Sequence, residues 1–373
     1  MELTVRQLRL MRAAGQHLRE TAAPADLAGV VGSLVGINAQ RTSAMMLSLR
    51  ARIRGLEKAD VDKAVNEDRV LVRGWAMRGT LHLLDAGDLP WIVAGLGPIH
   101  IARTRRRRIE LGLDDELASA ALGEIKKALG KSGPMTRWEL ADSLARKGIA
   151  LDLRGQAPIH LILYAALTGL LCLGPERENG EPTYVLVDTW IGKGGRSNGR
   201  DALPGLARRY LQGYGPAAPG DFAAWAGIPA KDARQAWQVL AEKEELREVR
   251  VEGKSLHMSA AGPGSLEIDP SRRPLVRLLP AFDSFVLAYS DRESLVPKEM
   301  QKHVYHGGQT LPTILVDGAV AGVWRYDRSG KRMVVELSPF APLQAEVRAL
   351  AGEEARDIGR FFGLPAAVTI REG

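Results

Sequence analysis

The strongest constraint on the fold is a pattern of helix and turn signals that occurs twice along the chain. In the first copy, "LGEIKKALGKSGPMTRWELADSLARKGI", a helical pattern breaks at Gly133-Pro134, restarts at Thr136 and stops at Gly148. Thr136 and Glu139 have the spacing of a capping box, and a third helical pattern, "APIHLILYAALTGLL", follows. The strand-like pieces "LLCLG" and "PTYVLVD" then flank the polar turn "PERENGE". Three helices and a hairpin predict a winged-helix unit.

The second copy has the same order. "LARRYLQGYGPAAPGDFAAWAGI" contains a helix, a break at Gly215-Pro216 and a short helix that ends at Gly227. A third helix, "PAKDARQAWQVLAEK", starts with Pro229 in its first turn, and the strands "LREVRVEG" and "KSLHMS" follow. Two segments with this shared order indicate a repeated module.

The N-terminal region fits a looser version of the module, with helical patterns near 4–19, 25–36, 42–54 and 58–68 before the strands of "VLVRGWAMRGTLHLLD". From about residue 270 the pattern changes to alternating strands with hairpin signals at Asp317-Gly318 and Arg328–Gly330, and then to one helix. We therefore predict an α+β protein with three winged-helix units and a C-terminal β-domain. The predicted domains are 1–110, 111–195, 196–264 and 265–373, with linkers at 192–200 and 261–265.

The positive charge is concentrated in the N-terminal third. Residues 1–110 carry 18 Lys and Arg against 11 Asp and Glu, which accounts for the whole net charge of +7, and they include the run "RTRRRR" at 103–108. Basic charge placed unevenly favours a polyanionic partner, most often nucleic acid. The alternative is a solubilising face.

The usual signatures of metal and nucleotide sites are missing from the sequence. It contains no phosphate-loop motif, GxGxxG before a helix, CxxC or HExxH. We therefore expect neither a metal nor a cofactor. The N-terminus is an amphipathic helix pattern, and the single cysteine, Cys172, lies in an apolar run, which predicts a buried thiol in a cytoplasmic protein without a membrane segment.

The stretch "GINAQR" places two amides, Asn38 and Gln40, between two apolar helical patterns. Residues two apart in extended backbone point to the same side. The two amides therefore either cap helix ends or present a matched polar pair to something outside the chain.

Four segments carry a resemblance to a known family. "GINAQRTSAMMLSLRARIRG", "RVLVRGWAMRGTLHLLDAGDLPWI", "RLLPAFDSFVLAYSDR" and "LPTILVDGAVAGVWR" resemble the AlkZ/YcaQ family of winged-helix DNA glycosylases, over nearly the whole chain and in the same order. The resemblance implies three tandem winged-helix units, a C-terminal β-barrel and a monomer that binds double-stranded DNA, which would be nucleoid-associated when bound. It also implies monofunctional, metal-independent hydrolysis of the N-glycosidic bond of alkylated purines, including bulky adducts and interstrand crosslinks.

The resemblance also assigns the amide pair. The family's catalytic motif is Gln–apolar–Gln, or Gln–apolar–Asp in one branch, and the matching residues here are Asn38, Ala39 and Gln40. Asn38 keeps the amide of the family's usual Gln on a side chain that is one methylene shorter.

Further candidates lie in the matching segments and in the basic run. Trp75 and Met77 are candidate lesion contacts, and the alternative for Trp75 is a place in the core. Candidate DNA-binding residues are Arg41, Arg73, Arg78, His82, Arg105, Arg106 and Arg325. A structural histidine is the alternative for His82, and a solvated helix face is the alternative for the run at 103–108. Asp283 is read as a turn-forming residue.

Two other functions fit parts of the sequence. A non-catalytic winged-helix regulator would shift the mobility of DNA without releasing a base. A protein-interaction scaffold would show little salt-dependent affinity for DNA, whereas phosphate binding weakens steeply with salt.

Overall fold

Fifteen α-helices form in the described part of this computed structural model, which comprises residues 1–192, 202–261 and 273–371. They are α1 (Val5–Gly15), α2 (Leu27–Ser33), α3 (Thr42–Arg50), α4 (Lys58–Asn66), α5 (Leu89–Glu110), α6 (Asp115–Ser132), α7 (Arg137–Ala145), α8 (Ala157–Leu167), α9 (Val187–Trp190), α10 (Ala202–Tyr214), α11 (Pro219–Ala226), α12 (Ala230–Glu242), α13 (Ser284–Leu287), α14 (Gln301–Val304) and α15 (Ala345–Phe361). At the start of α7, Thr136 Oγ1 accepts the backbone N–H of Glu139, and the Glu139 carboxylate accepts the N–H of Thr136. The predicted capping box is confirmed.

Sixteen strands lie in the same described ranges. They are β1 (Glu2–Leu3), β2 (Ile37–Asn38), β3 (Leu71–Trp75), β4 (Leu81–Asp85), β5 (Met135–Thr136), β6 (Leu171–Leu173), β7 (Thr183–Leu186), β8 (Leu246–Val251), β9 (Lys254–Ser259), β10 (Val276–Leu279), β11 (Tyr305–His306), β12 (Gln309–Thr310), β13 (Thr313–Val316), β14 (Ala319–Ser329), β15 (Arg332–Pro339) and β16 (Ala366–Ile370). Both repeats contain the three helices and the hairpin that the sequence predicts, namely α6–α8 with β6–β7 and α10–α12 with β8–β9. The chain is a mixed α+β protein.

The chain divides into two compact units. The first unit comprises Met1–Val61, Leu206–Trp225 and Pro229–Gly373, and the second comprises Asp62–Gly205 and Ala226–Ile228. The predicted linkers at 192–200 and 261–265 lie, apart from their first residues, outside the described residues.

The second unit contains an antiparallel sheet with strands in the order β4, β3, β6, β7 and β5. Its core is formed by α6, α7 and α8 and by the inner faces of these strands, and includes Leu161, Ala165 and Leu171. α5 crosses α8 so closely that a Cβ on Gly97 would lie 2.2 Å from the carbonyl oxygen of Leu167. Only glycine permits this approach between the helices.

Among its described residues, the first unit contains a three-stranded sheet, a five-stranded sheet and the two-stranded hairpin of β11 and β12. β1 pairs in parallel with β8, which pairs antiparallel with β9. The C-terminal strands form a second sheet in the order β10, β13, β14, β15 and β16, and Asp317-Gly318 makes the predicted tight turn between β13 and β14, with φ values of 47° and 78°.

The predicted C-terminal barrel is wrong for the described residues. β10 and β16 are the two edges of an open sheet, and α15 packs against both of them. β16 joins β15 in parallel after this helix. A helix laid across one face buries that face without closing the sheet on itself.

Candidate active site

The amide pair lies between two helices of the first unit, with Asn38 in the short strand β2 and Gln40 in the link to α3. At the end of α2, the N–H groups of Val35 and Gly36 donate to the carbonyl oxygens of Gly32 and Val31, both at 2.9 Å. Val35 and Gly36 have φ values of 54° and 108°. The left-handed region is strained for a β-branched residue, and Val35 is fully buried. This turn sets the direction in which β2 leaves α2.

The two amides lie on the same side of the chain, as their spacing predicts. Asn38 Nδ2 donates to Gln40 Oε1 at 3.3 Å, and the Gln40 backbone N–H donates to Asn38 Oδ1 at 3.3 Å. Asn38 is 6% exposed, whereas Gln40 is exposed. The N-cap residue of α3 is Arg41, and no side-chain hydrogen bond caps this helix. The alternative that the amides cap helix ends is therefore wrong for α3.

Arg41 and an aromatic side chain lie beside the pair. Arg41 is exposed, its Nη2 donates to Gln309 Oε1 at 3.2 Å, and its guanidinium carbon is 5.4 Å from the centroid of the Phe282 ring. Phe282 has a φ of 60°, and its N–H donates to Thr310 Oγ1 at 2.6 Å. The loop that carries Phe282 is thus tied to the β11–β12 hairpin, and both are in reach of Arg41.

A buried ion pair fixes the same loop to the end of α3. Arg52 and Asp283 are fully buried, and the Arg52 guanidinium donates to both Asp283 oxygens at 2.8 Å. Ser48 Oγ also donates to this carboxylate at 2.6 Å. Burial would raise the pKa of Asp283, but the charge and hydrogen bonds of Arg52 and the Ser48 bond outweigh it and lower this pKa. Asp283 has the structural role that the sequence favoured.

α10 holds the turn that precedes the amide pair. The hydroxyl of Tyr214, which is fully buried, donates to the carbonyl oxygen of Leu34 at 2.9 Å, and Arg209 donates to the carbonyl oxygen of Gly32 in the last turn of α2. A Cβ on Gly213 would lie 2.7 Å from the carbonyl oxygen of Ser33. These hydrogen bonds and the close backbone approach from α10 therefore fix the position of the end of α2.

In the second unit, the two candidate lesion contacts are core residues. Met77 is 0% exposed and Trp75 is 8% exposed, and the Trp75 ring stacks on Tyr184 at a centroid distance of 6.5 Å. Arg73 is also buried and pairs with Glu176 at 2.8 Å. These placements favour a structural role, and contact with a lesion stays a prediction.

His82 is buried and neutral. Its Nδ1–H donates to the carbonyl oxygen of Thr80 at 2.9 Å. Burial, followed by the positive charge of Arg78, lowers the pKa of His82 to about 3. Arg78 is half-buried with a φ of 58°, and its carbonyl oxygen accepts a bond from Arg103. A neutral imidazole offers no charge to a phosphate, so Arg78 is the better candidate of the two.

Three other predicted DNA contacts are exposed arginines paired with acids. The pairs are Arg105–Asp115 at 2.5 Å, Arg106–Glu110 at 3.0 Å and Arg325–Glu336 at 2.9 Å. Surface ion pairs of this kind contribute little to stability, so a phosphate can replace the acid at small cost. Their contact with DNA stays a prediction.

Three residues around the amide pair were missed at the level of sequence. Tyr214, Arg52 and Phe282 come from separate parts of the chain, and none belongs to a motif with local spacing. The segment "LPAFDSF" drew attention to Asp283 but gave no sign that the preceding phenylalanine has a left-handed backbone.

Other features of the described residues concern metals, membranes and thiols. No group of three or more His, Cys, Asp or Glu side chains within these ranges is placed to hold a metal ion. No helix in the same ranges is long and apolar enough to cross a membrane. Cys172 is fully buried, as predicted, and burial raises the pKa of its thiol to about 12.

Comparisons with known proteins bear on the whole chain. The family model described as DNA glycosylase AlkZ-like matches residues 31–361, which include the amide pair and Phe282. A relative from Streptomyces sahachiroi, described as an interstrand DNA cross-link repair glycosylase, is 28% identical over 376 residues and is covered, like this chain, to 98%. The solved structure of the Streptomyces sahachiroi DNA glycosylase AlkZ superposes with a TM-score of 0.83 over 100% of both chains at 24% identity. This structural likeness shows a shared fold.

Proposed function

The chain belongs to the family of AlkZ-like DNA glycosylases, and we propose that it hydrolyses the N-glycosidic bond of purines alkylated at N7 or N3 in double-stranded DNA. The observation that carries the proposal is the hydrogen-bonded pair of amides, one buried and one exposed. The sequence resemblance matches these two residues to the family's catalytic motif. The name of the Streptomyces relative supports interstrand crosslinks as a further substrate.

The two amides have different roles in this proposal. Gln40 is exposed and its Oε1 keeps one lone pair beyond the bond from Asn38, so it holds the attacking water and faces the positive charge that develops on the sugar. Asn38 is nearly buried and binds both the side chain and the backbone of Gln40. It orients Gln40, and the shorter side chain of Asn suffices for that.

The chemistry requires a reactive leaving group. Alkylation at N7 or N3 makes the purine cationic, so the electron pair of the breaking bond neutralises the departing base. Water adds to C1′ of the sugar, and its proton passes to solvent, which leaves an abasic site and a neutral alkylated base. An amide dipole stabilises the sugar cation less than a carboxylate would, so unmodified bases are poor substrates. Since water is the nucleophile, the enzyme is monofunctional, and its own residues supply the steps without a metal.

In this proposal the two repeats and the N-terminal region each contribute contacts to DNA. The helix and hairpin order of each repeat fits a winged helix, a module that holds phosphates with Arg, Lys and backbone amides. Arg41, exposed beside Gln40 and bonded to a neutral amide, is the best placed phosphate contact. The protein acts as a cytoplasmic monomer associated with the nucleoid.

Base release is the direct test. Duplexes that carry N7-methylguanine or a nitrogen-mustard crosslink are incubated with the protein with and without a chelator, and free modified base is quantified by mass spectrometry. The proposal predicts release that is insensitive to the chelator, from alkylated duplexes only. Salt-dependent binding of both duplexes without release would instead indicate a regulator.

A further inference from the structure

A cavity of about 560 Å³ in the second unit takes no part in the proposed reaction. It lies between the start of α7, the β6–β7 turn and the adjoining ends of β3 and β4. Its walls include three aromatic side chains, those of Trp75, Trp138 and Tyr184, and Trp75 and Tyr184 stack with an angle of 22° between their planes. The size lies within the range of small-molecule sites, and flat walls suit a flat ring.

Trp138 is not explained by packing. It is 41% exposed, whereas the residues of α7 that face the core are Leu140, Ala141 and Leu144, all buried. A helix of nine residues that already buries an apolar face gains nothing from a further indole in water. Exposed tryptophans with one face free are typical of surfaces that stack against a ligand.

The charge at the rim decides what kind of ring fits. The Arg137 guanidinium carbon lies 4.3 Å from the centroid of the Trp138 ring, and no carboxylate among the described residues pairs with Arg137. Its charge therefore opposes a cationic ligand, although aromatic walls alone would suit one. Glu181 also lines the cavity, so an anionic group has to lie next to Arg137 and away from this carboxylate.

We propose that this cavity binds an unpaired nucleotide. The base stacks on Trp138 between the aromatic walls, and its phosphate lies on Arg137. The inference rests on the proposed function only in taking DNA as the partner. Such a site would bind one DNA strand whether or not that strand carries an alkylated base.

Stacking of a base on Trp138 is tested by measuring the binding of two oligonucleotides to the wild type and to Trp138→Ala. The probes are a fluorescent oligothymidylate of about ten nucleotides and an abasic oligonucleotide of equal length, which keeps the phosphates and lacks the bases. Trp138→Ala should weaken binding of oligothymidylate by about 5- to 150-fold, the effect of losing one stacked base. The same variant should leave binding of the abasic strand unchanged.

A second pair of variants controls for general effects. Arg69 and Trp190 form a similar cation–π pair in the same unit, with the guanidinium carbon 3.9 Å from the ring centroid, and neither residue lines the cavity. Trp190→Ala should bind oligothymidylate as the wild type does. Arg137→Gln should reduce the slope of log affinity against log salt by about 0.7, the value for one phosphate of a single strand, and Arg69→Gln should not change it.

Equal weakening of both probes by Trp138→Ala, or no weakening of either, would overturn the inference. So would an equal effect of Trp190→Ala. Binding is measured without a lesion, so this outcome is independent of base release. If Trp138→Ala weakens binding of oligothymidylate alone and the wild type releases no alkylated base, the inference stands and the proposed function is contradicted.

Discussion

Tyr214→Phe should slow base excision without weakening DNA binding. The substitution keeps the buried ring and removes only the hydroxyl that donates to the carbonyl oxygen of Leu34 at 2.9 Å. That carbonyl lies one residue before the left-handed Val35 and four before Asn38. Tyr214 makes no contact with substrate in the proposed mechanism, so it acts as a positioning residue.

The magnitude follows from the bond that is lost. One buried hydrogen bond contributes about 1 kcal/mol, and the left-handed backbone of Val35 costs on the order of 1–3 kcal/mol. The Tyr214–Leu34 hydrogen bond is therefore similar in energy to the backbone strain at Val35 that it helps to maintain. If about 1 kcal/mol of positioning is lost in the transition state, the excision rate falls about fivefold.

Tyr210→Phe is the matched control. Tyr210 lies one turn earlier on α10, is fully buried and stacks on Tyr214 at 5.2 Å, and its hydroxyl donates at 2.9 Å to the carbonyl oxygen of Ala288 instead. Both variants should lose similar thermal stability. Single-turnover excision at saturating protein should slow only in Tyr214→Phe, with the Kd for DNA unchanged. Equal rates in the two variants would refute the positioning role.

Three further predictions concern charge. Asp283→Asn should reduce the free energy of unfolding by about 3–5 kcal/mol in chemical denaturation, because it leaves Arg52 buried without its acid. The pKa of His82 is lowered in the native state, so below pH 6.5 only the unfolded state takes up a proton on this residue, and the protein becomes less stable as the pH is lowered. Between pH 7 and pH 5 the free energy of unfolding of the wild type should decrease by about 2 kcal/mol more than that of His82→Asn. Arg41→Gln should lower the salt slope of duplex binding by about 0.9, and Arg106→Gln by less, because Glu110 already offsets the charge of Arg106.

Local signals predicted much of the fold. The capping box of Thr136 and Glu139, the glycines that end helices and the Asp317-Gly318 turn depend on a few neighbouring residues, and the structure has each of them. The amides of Asn38 and Gln40 also meet, because their spacing alone puts them on one side.

Long-range packing accounts for what the sequence did not predict. Arg52 and Asp283 are 231 positions apart, so no local pattern joins them. Every residue of β3 is buried, which means that both faces of this strand are covered. Alternation along "VLVRGWAMRG" could therefore not distinguish a cleft-lining Trp75 from a core one. The prediction of a C-terminal barrel was wrong for a similar reason, since strand patterns do not show whether a helix covers one face of a sheet or the sheet closes on itself.

The excision rate of Gln40→Ala tests the central claim most directly. Wild type and variant are compared under single-turnover conditions on a duplex with one N7-methylguanine, after equal binding has been established. The account predicts that the variant binds the duplex as the wild type does and releases almost no base. A variant that releases base at the wild-type rate would contradict catalysis by the amide pair.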